Sequence, residues 1–329
     1  MTNSTPQAGI FDQISDGVYQ ASAMMAGVRL DLFTPLKDGP LSAEQIADAI
    51  GVDSFKLRPL LYALVITGLL TVESELFSNT AEADHFLVHD RPAYMKERLE
   101  QYFDWWNITF TTAESVRTGK PQAKIDYAAM PPDELETFLR GLHWNTIRVG
   151  SALAEKYDFS DCRTLLDVGG GSGGLAIGIT EAYPDLQATV VDLPTVTPIT
   201  QRLVAEADAT DRVQVMTADV VRQSLTGSFD AALLKAFINV LSPEHARQAL
   251  KHISQVINPG GTLYIVGGLD LDNSRLSPPD LVTFNLLMLN IYDNGQLYTE
   301  QEHREWLTEA GFEEIQNPPG MGFIAQKPS

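Results

Sequence analysis

The chain of 329 residues has a single cysteine, Cys162, and no apolar run of the length that crosses a membrane. One cysteine excludes an intrachain disulfide and any metal site built from several thiolates. The polar stretch Met1–Gly9 lacks the basic, apolar and cleavable parts of an export signal. These absences predict a globular protein of the reducing cytoplasm that does not act at a membrane.

Basic residues are also scarce. The chain has 23 Lys and Arg against 43 Asp and Glu, a net charge of -20. Binding to phosphate rests on concentrated Lys and Arg, so nucleic acid is not expected as a partner. We expect no metal either, because His85 and His89 stand four residues apart without a third ligand nearby.

Short amphipathic helices dominate residues 10–100. Ser42-Ala43-Glu44-Gln45 is a helix start, a second helix is predicted over 54–67, and 69–72 with 76–78 resemble a small hairpin. This order is typical of a winged helix-turn-helix. The second helix has few basic residues, so a packing or dimerisation module is favoured over one that grips DNA.

Beyond the helical stretch at 101–158, strands alternate with helices. Seven strands are predicted, at 164–168, 188–191, 213–216, 231–234, 262–266, 313–315 and 322–326. Pro318-Pro319-Gly320 joins the last two as a hairpin, so the last strand runs antiparallel to the others. The predicted fold is α/β: a Rossmann-like seven-stranded sheet with an antiparallel last strand, preceded by a helical winged-helix domain. The predicted domains are 1–100, a helical linker and pocket lid at 101–158, and the catalytic domain at 159–329.

The run Leu165-Leu166-Asp167-Val168-Gly169-Gly170-Gly171-Ser172-Gly173-Gly174 predicts a buried strand, a glycine loop and a helix N-terminus, with Asp192 ending the next strand. The pattern fits both NAD and S-adenosylmethionine. The carboxylate of Asp167 would repel a pyrophosphate, whereas S-adenosylmethionine brings an ammonium and a sulfonium. The methyl donor is therefore favoured.

Together with later segments, this run resembles the small-molecule O-methyltransferase family of S-adenosylmethionine-dependent enzymes, which place a winged-helix dimerisation domain before a Rossmann-like domain. The other matching segments are Asp192-Leu193-Pro194, Ala218-Asp219, Leu233-Leu234-Lys235, Asn258-Pro259-Gly260-Gly261 and Glu309-Ala310-Gly311-Phe312. The resemblance implies a homodimer that releases S-adenosylhomocysteine.

The resemblance also implies site residues. Asp192, with Leu193 in the same turn, would bind the ribose, and Asp219 with Val220 the adenine. Lys235 would lie near the methionine half, and the amino-acid end would meet the loop that follows Asp167, through Gly169, Gly171 and Gly173. Two alternatives stay open: Asp219 as a turn cap, and Lys235 as a solvated strand end.

Relatives that methylate hydroxyls carry a His general base just after the fourth strand. Here the matching segment is Ile238-Asn239-Val240-Leu241, and the two carboxylates that steady that His are replaced by Gly267 and Leu297. Asn239 cannot take up a proton but can hold a substrate by hydrogen bonds. His245 is expected at the surface. His143 lies on a helix that packs over the acceptor pocket in the family, where it either contacts substrate or is a satisfied interfacial histidine.

Loss of the base points to an acceptor that is already nucleophilic. A thioether methylated to a sulfonium, such as a methylthio-hydroxy acid, is the leading hypothesis, followed by carbon methylation and by O-methylation with another base, for which His143 is the candidate. A cofactor-bound protein that no longer methylates and a winged-helix regulator are the alternatives of another class. The expected substrate contacts are Trp105, Trp106, His143, Trp144, Phe284, Met288, Asn290, Tyr292 and Tyr298, with Arg140, Arg148 or Lys235 as the cation for an anionic acceptor.

Overall fold

The computed structural model describes residues 9–329, apart from the side chain of Glu97. The polar stretch Met1–Gly9 is the basis for predicting no export signal. Except for Gly9, it lies outside the described residues. The chain forms two compact units, one ending at Asn107 and one spanning Ile108–Ser329. The division into three domains stays a prediction.

From Gly9 onwards, the N-terminal unit combines five α-helices and a short 3-10 helix (Thr34–Asp38) with a small antiparallel sheet. The helices are α1 (Gly9–Arg29), α2 (Ala43–Ile50), α3 (Ser54–Ile66), α4 (Ala81–Leu87) and α5 (Lys96–Thr109), and the sheet has the order β1 (Leu41–Ser42), β3 (Leu76–Asn79), β2 (Leu70–Glu73). The predicted helix start at Ser42 is confirmed, because Ser42 and Gln45 cap each other reciprocally. Asp53 caps α3 through the N–H of Lys56. The order of helices and hairpin agrees with the sequence analysis, and the winged-helix assignment stays a prediction.

The C-terminal unit is built around one seven-stranded sheet. Its helices are α6 (Thr112–Thr118), α7 (Pro132–Lys156), α8 (Gly174–Ala182), α9 (Thr197–Glu206), α10 (Pro243–Val256), α11 (Pro279–Ile291) and α12 (Glu300–Glu309). Its strands are β4 (Thr164–Val168), β5 (Gln187–Asp192), β6 (Val213–Thr217), β7 (Phe229–Lys235), β8 (Ile257–Val266), β9 (Asp270–Leu271), β10 (Tyr298–Thr299), β11 (Glu313–Gln316) and β12 (Phe323–Gln326).

The sheet order is β11-β12-β8-β7-β4-β5-β6, and β12 pairs antiparallel with β8. Seven strands and an antiparallel last strand were predicted, and both are confirmed. The carboxyl ends of β4, β5, β6 and β7 lie along one edge of the sheet, where open α/β sheets bind ligands. The two-stranded parallel sheet of β9 and β10 was not predicted.

Helix α7 packs closely on α8 because glycine stands where a side chain would collide. A Cβ at Gly174 would lie 2.1 Å from Thr146 Oγ1, and one at Gly178 would lie 2.3 Å from the carbonyl oxygen of Ile147. This packing brings the middle of α7 to the start of α8, beside the glycine loop. Within residues 9–329, none of the helices has both the length and the apolar character of a membrane span.

Candidate functional site

The glycine loop at residues 169–173 connects β4 to α8 at the carboxyl edge of the sheet. Gly169, Gly171 and Gly173 adopt positive φ angles of 64°, 56° and 76°, which disfavour any residue with a side chain. A Cβ at Gly169 would lie 2.7 Å from the ring of Phe237, and one at Gly170 would lie 2.6 Å from Asp167 Oδ2. The loop is therefore a backbone cradle that only glycine can form.

Asp192 ends β5 beside this loop. Its Oδ2 accepts the N–H of Gly171 at 2.8 Å, and its Oδ1 accepts the N–H of Leu193 at 2.7 Å. Burial raises the pKa of Asp192, and the two N–H groups act against this rise. Each carboxylate oxygen keeps a second lone pair, which suits the predicted bonds from ribose hydroxyls.

Asp167 is buried at the centre of the site, 1% exposed, and neither of its carboxylate oxygens has a hydrogen bond of ordinary geometry among the described residues, although the main-chain N–H of Ala176 is close enough to lower its pKa. Burial, with repulsion from the Asp192 carboxylate, raises the pKa of Asp167 to about 7. Lys235 ends β7 nearby, and burial lowers its pKa while attraction to Asp167 acts in the opposite direction. A buried carboxylate without a donor is costly, so it favours a ligand that brings a cation.

The charges of these three groups decide between the two cofactors. Two carboxylates and one ammonium carry a net negative charge when all are ionised, and they would repel a pyrophosphate. An ammonium group would instead give Asp167 its missing donor. The cradle and the unpartnered carboxylate thus fit S-adenosylmethionine, whose amino-acid end would lie at the loop and whose ribose would lie at Asp192.

The predicted adenine residues form a turn after β6. Asp219 Oδ1 accepts the N–H groups of Val221 and Arg222 at 3.0 and 3.3 Å. This oxygen therefore caps the turn, which was the alternative to a role in binding adenine. Val220 is 5% exposed and packs into the core with its side chain. A contact with adenine would therefore come from the main chain of the turn or from Asp219 Oδ2.

His143 lies on α7 against the glycine loop and is 7% exposed. Burial lowers the pKa of His143, and its Nδ1 has no hydrogen-bond partner within residues 9–329. A backbone group of Ser172 next to the ring partly offsets the shift. His143 is thus a neutral imidazole at the cofactor loop. The next residue, Trp144, is 77% exposed, and its substrate contact stays a prediction.

Asn239 and Met288 meet directly. Asn239 lies on a short 3-10 helix after β7, is 9% exposed, and donates from Nδ2 to the Met288 sulfur at 3.6 Å. The predicted catalytic position and the predicted substrate helix α11 are therefore in contact. Leu297, at one position where relatives carry a carboxylate, is fully buried.

Tyr292, at the end of α11, is paired with a residue that the sequence analysis missed. Its hydroxyl lies 3.3 Å from that of Tyr127. The main-chain oxygen of Tyr127 accepts from Thr195 Oγ1 at 2.9 Å, and its ring packs against the same buried cluster as Leu193. Burial raises the pKa of both phenols. Tyr127 thus links the acceptor helix to the turn that follows Asp192. No periodic pattern marks it, because it lies in an irregular, proline-bearing connection.

One predicted substrate contact, Asn290, is corrected. The Asn290 side chain is fully buried: its Oδ1 accepts from Thr111 and Ser115, and its Nδ2 donates to Thr112 and to the carbonyl of Leu286. All of its hydrogen-bonding capacity is used, so it clamps α6 to α11 instead of holding a ligand. Tyr298 is also fully buried, its hydroxyl donates to the carbonyl of Leu241 and its ring packs on Trp306. It lines the small cleft that contains Asn239, so its substrate contact stays a prediction.

For the other predicted substrate contacts, the structure gives the position in the fold but does not show a role in binding. Phe284 is half-buried on α11. Trp105 and Trp106 lie on α5, where Trp106 packs against the core of the N-terminal unit. Of the candidate cations, Arg140 is held by Glu136 and Glu206, and Arg148 is exposed. Lys235 is the one that the structure places at the glycine loop, through its attraction to Asp167.

His303 is a second residue that the sequence analysis missed. It lines a small cleft together with Asn239 and Asp270. Its Nδ1 lies 3.0 Å from the carbonyl oxygen of Thr299, which can only accept, so Nδ1 carries the hydrogen and Nε2 the lone pair. Burial lowers the pKa of His303. Over the described part of the chain, no group of three His, Cys, Asp or Glu residues is arranged to hold a metal ion.

The chain belongs to the O-methyltransferase family. Residues 110–313 match the O-methyltransferase domain, and residues 12–89 match the O-methyltransferase dimerisation domain. The predicted enzyme class, a methyltransferase dependent on S-adenosylmethionine, and the predicted cofactor are confirmed. The dimerisation domain supports the predicted homodimer.

Relatives span nearly the whole chain. The 3-hydroxy-5-methyl-1-naphthoate 3-O-methyltransferase of Streptomyces sahachiroi is 28% identical, over 96% of this chain and 94% of the relative. The tetracenomycin 8-O-methyltransferase TcmO of Streptomyces glaucescens is 29% identical, over 96% of each chain. Human N-acetylserotonin methyltransferase, solved with S-adenosylmethionine, superposes with a TM-score of 0.74 at 22% identity, over 100% of both chains.

Proposed function

We propose that this enzyme methylates an acceptor atom that has no proton to lose, and that the acceptor is the sulfur of a small thioether such as a methylthio-hydroxy acid. One observation carries the proposal. The predicted catalytic position holds an amide, Asn239, which contacts the thioether of Met288 on α11, and the two phenols of Tyr127 and Tyr292 pair at the end of the same helix. None of these four groups is a base near neutral pH, because an amide does not take up a proton and burial raises the pKa of both phenols. The imidazoles of the site are elsewhere: His143 lies on α7 at the glycine loop, and His303 lies in the cleft beside Asn239.

S-adenosylmethionine supplies, when bound, a methyl group on a cationic sulfur. With the donor held by the glycine loop and Asp192, the lone pair of an acceptor sulfur would be enough to take the methyl group, and the electron pair of the broken bond would stay on the donor sulfur. The positive charge passes to the acceptor and no proton is released. Positioning therefore supplies much of the acceleration. Asn239 and Met288 would orient the acceptor, and the polarisable Met288 sulfur tolerates a sulfonium beside it.

Two features of the comparisons bear on the acceptor atom. The two Streptomyces relatives described above are named as O-methyltransferases. Another relative, OxyT of Streptomyces rimosus, is 27% identical over 93% of this chain and is named an N,N-dimethyltransferase. This architecture thus serves acceptors other than oxygen, which supports an acceptor chosen by local side chains.

A second candidate is methylation of an oxygen or an activated carbon, with His303 as the proton acceptor. It rests on the cleft that His303 shares with Asn239, where the Nε2 lone pair of a neutral ring is available. This candidate requires a proton to pass from the acceptor pocket to the cleft, whereas the thioether reaction requires none.

The test is release of S-adenosylhomocysteine from a panel holding a methylthio-hydroxy acid, its methoxy analogue, an enol and a phenol. We expect the enzyme to methylate only the thioether. The rate of this reaction should differ less than twofold between the parent and His303→Gln. Asn239→His should give no gain with the thioether. His245→Gln, at an exposed histidine, is the matched control. Reaction of the phenol or enol alone, lost in His303→Gln, would instead establish the second candidate.

A further inference from the structure

We propose that His252 positions the turn at residues 219–220 and thereby sets how well the enzyme distinguishes adenine from other bases. This inference rests on the cofactor role proposed for that turn. His252 is a positioning residue in α10, because it touches the turn and not the cofactor. Neither the sequence motifs nor the predicted site includes it.

The imidazole of His252 is held between two polar groups. It is 8% exposed, its Nδ1 lies 2.8 Å from the carbonyl oxygen of Val220, and its Nε2 lies 2.7 Å from Gln248 Nε2. A carbonyl only accepts and an amide nitrogen only donates. The neutral ring with its hydrogen on Nδ1 satisfies both contacts at once. A buried hydrogen bond therefore joins α10 to the main chain of Val220.

Other contacts fix the rest of the turn. The N–H of Ala218 donates to the carbonyl oxygen of Asp192 at 3.0 Å, and Asp219 Oδ1 caps the N–H of Val221. None of these bonds, nor the His252 contact, uses the N–H of Val220. A buried backbone donor needs a partner. A ring nitrogen of adenine is an acceptor of the right kind.

Loss of the Nδ1 donor would leave the Val220 carbonyl buried without a partner, and the turn would relax to find another. The adenine end of the cofactor would lose its fixed donor, whereas the glycine loop and the acceptor helix do not depend on this contact. The expected effect is thus weaker cofactor binding with an unchanged turnover at saturating cofactor.

Two polar variants separate positioning from packing. In His252→Asn the amide nitrogen takes the place of Nδ1 and still donates to Val220, whereas in His252→Gln the amide stands at the place of Nε2 and does not reach it. His245→Gln, on the same helix but exposed, controls for loss of a histidine.

Calorimetric titration would use the full-length protein with S-adenosylhomocysteine and with S-inosylhomocysteine, in which oxygen replaces the adenine amine. We expect the parent, His252→Asn and His245→Gln to prefer the adenine ligand. His252→Gln should bind it about tenfold more weakly and lose most of the preference, with kcat and the acceptor KM within twofold of the parent. A preference in His252→Gln equal to that of the parent would overturn the positioning role. Failure of the parent to bind either ligand would overturn the cofactor site itself.

Discussion

The phenol oxygens of Tyr127 and Tyr292 lie 3.3 Å apart, although 165 residues separate them in the chain. Each hydroxyl is the polar partner of the other in a largely apolar setting. Tyr127→Phe or Tyr292→Phe alone should lower the free energy of unfolding by about 1 kcal/mol, because the remaining hydroxyl loses its partner. The double variant should cost less than the sum of the two, measured by urea unfolding. Tyr19→Phe, at an exposed site, is the control. Strictly additive costs would argue against a direct bond.

The titration of Asp167 should make the free energy of unfolding depend on pH. Its pKa is about 7 in the fold and 3.8 ordinarily, because burial and Asp192 disfavour its charged form. At pH values between these two pKa values, the Asp167 carboxyl is protonated in the folded state and ionised in the unfolded state. The free energy of unfolding of the unliganded enzyme therefore falls by about 1.4 kcal/mol per pH unit as pH rises towards 7.

Asp167→Asn removes this titration, so urea unfolding of the variant should be less sensitive to pH between 5 and 8. Its affinity for S-adenosylhomocysteine should be lower above pH 7, because the ligand ammonium loses a carboxylate partner. Calorimetric titration at pH 6 and pH 8 measures this. If the free energy of unfolding of the parent and of the variant changed equally with pH, Asp167 would not be the titrating group.

Asn290 has a structural role that can be measured. Asn290→Ala leaves the hydroxyls of Thr112 and Ser115 and the carbonyl of Leu286 without this partner, so the free energy of unfolding should fall by about 2–3 kcal/mol. The cofactor KM should change less than twofold in the folded variant. Asn145→Ala, exposed on α7, should be neutral. A stable variant with a raised acceptor KM would restore Asn290 as a substrate contact.

Two glycines near the site differ in the space around them. Gly174→Ala places a Cβ 2.9 Å from the carbonyl oxygen of His143 and closer still to Thr146, so it should destabilise the protein by about 1–3 kcal/mol. Gly141→Ala, in the middle of α7 with nothing within 4 Å, should stabilise it by about 0.5–1 kcal/mol. The two melting temperatures should move in opposite directions. Equal shifts would mean that α7 and α8 do not pack as closely as described.

Local chemistry explains why much of the fold was predictable. The apolar run of β4 has the predicted bounds Thr164–Val168, because a strand covered on both faces is continuously hydrophobic. Pro318-Pro319-Gly320 breaks the chain between β11 and β12 and allows their antiparallel pairing. The glycine loop was predictable for a similar reason, since positive φ angles favour glycine.

The residues that were corrected or missed depend instead on partners that are distant in the sequence. Asn290 bonds to Ser115 across 175 positions, and His252 bonds to Val220 across 32. A polar residue on a helix has the same local pattern whether its partner is a substrate, a neighbouring helix or a backbone carbonyl. Only the folded arrangement distinguishes these cases.

The bond from His252 ends on a main-chain oxygen, which every amino acid at position 220 supplies. Selection on this contact would therefore constrain position 252 while position 220 remained free to exchange one apolar residue for another. Correlated substitutions between the two columns of an alignment would not reveal the pair, and evolutionary coupling would underestimate how the adenine turn is held.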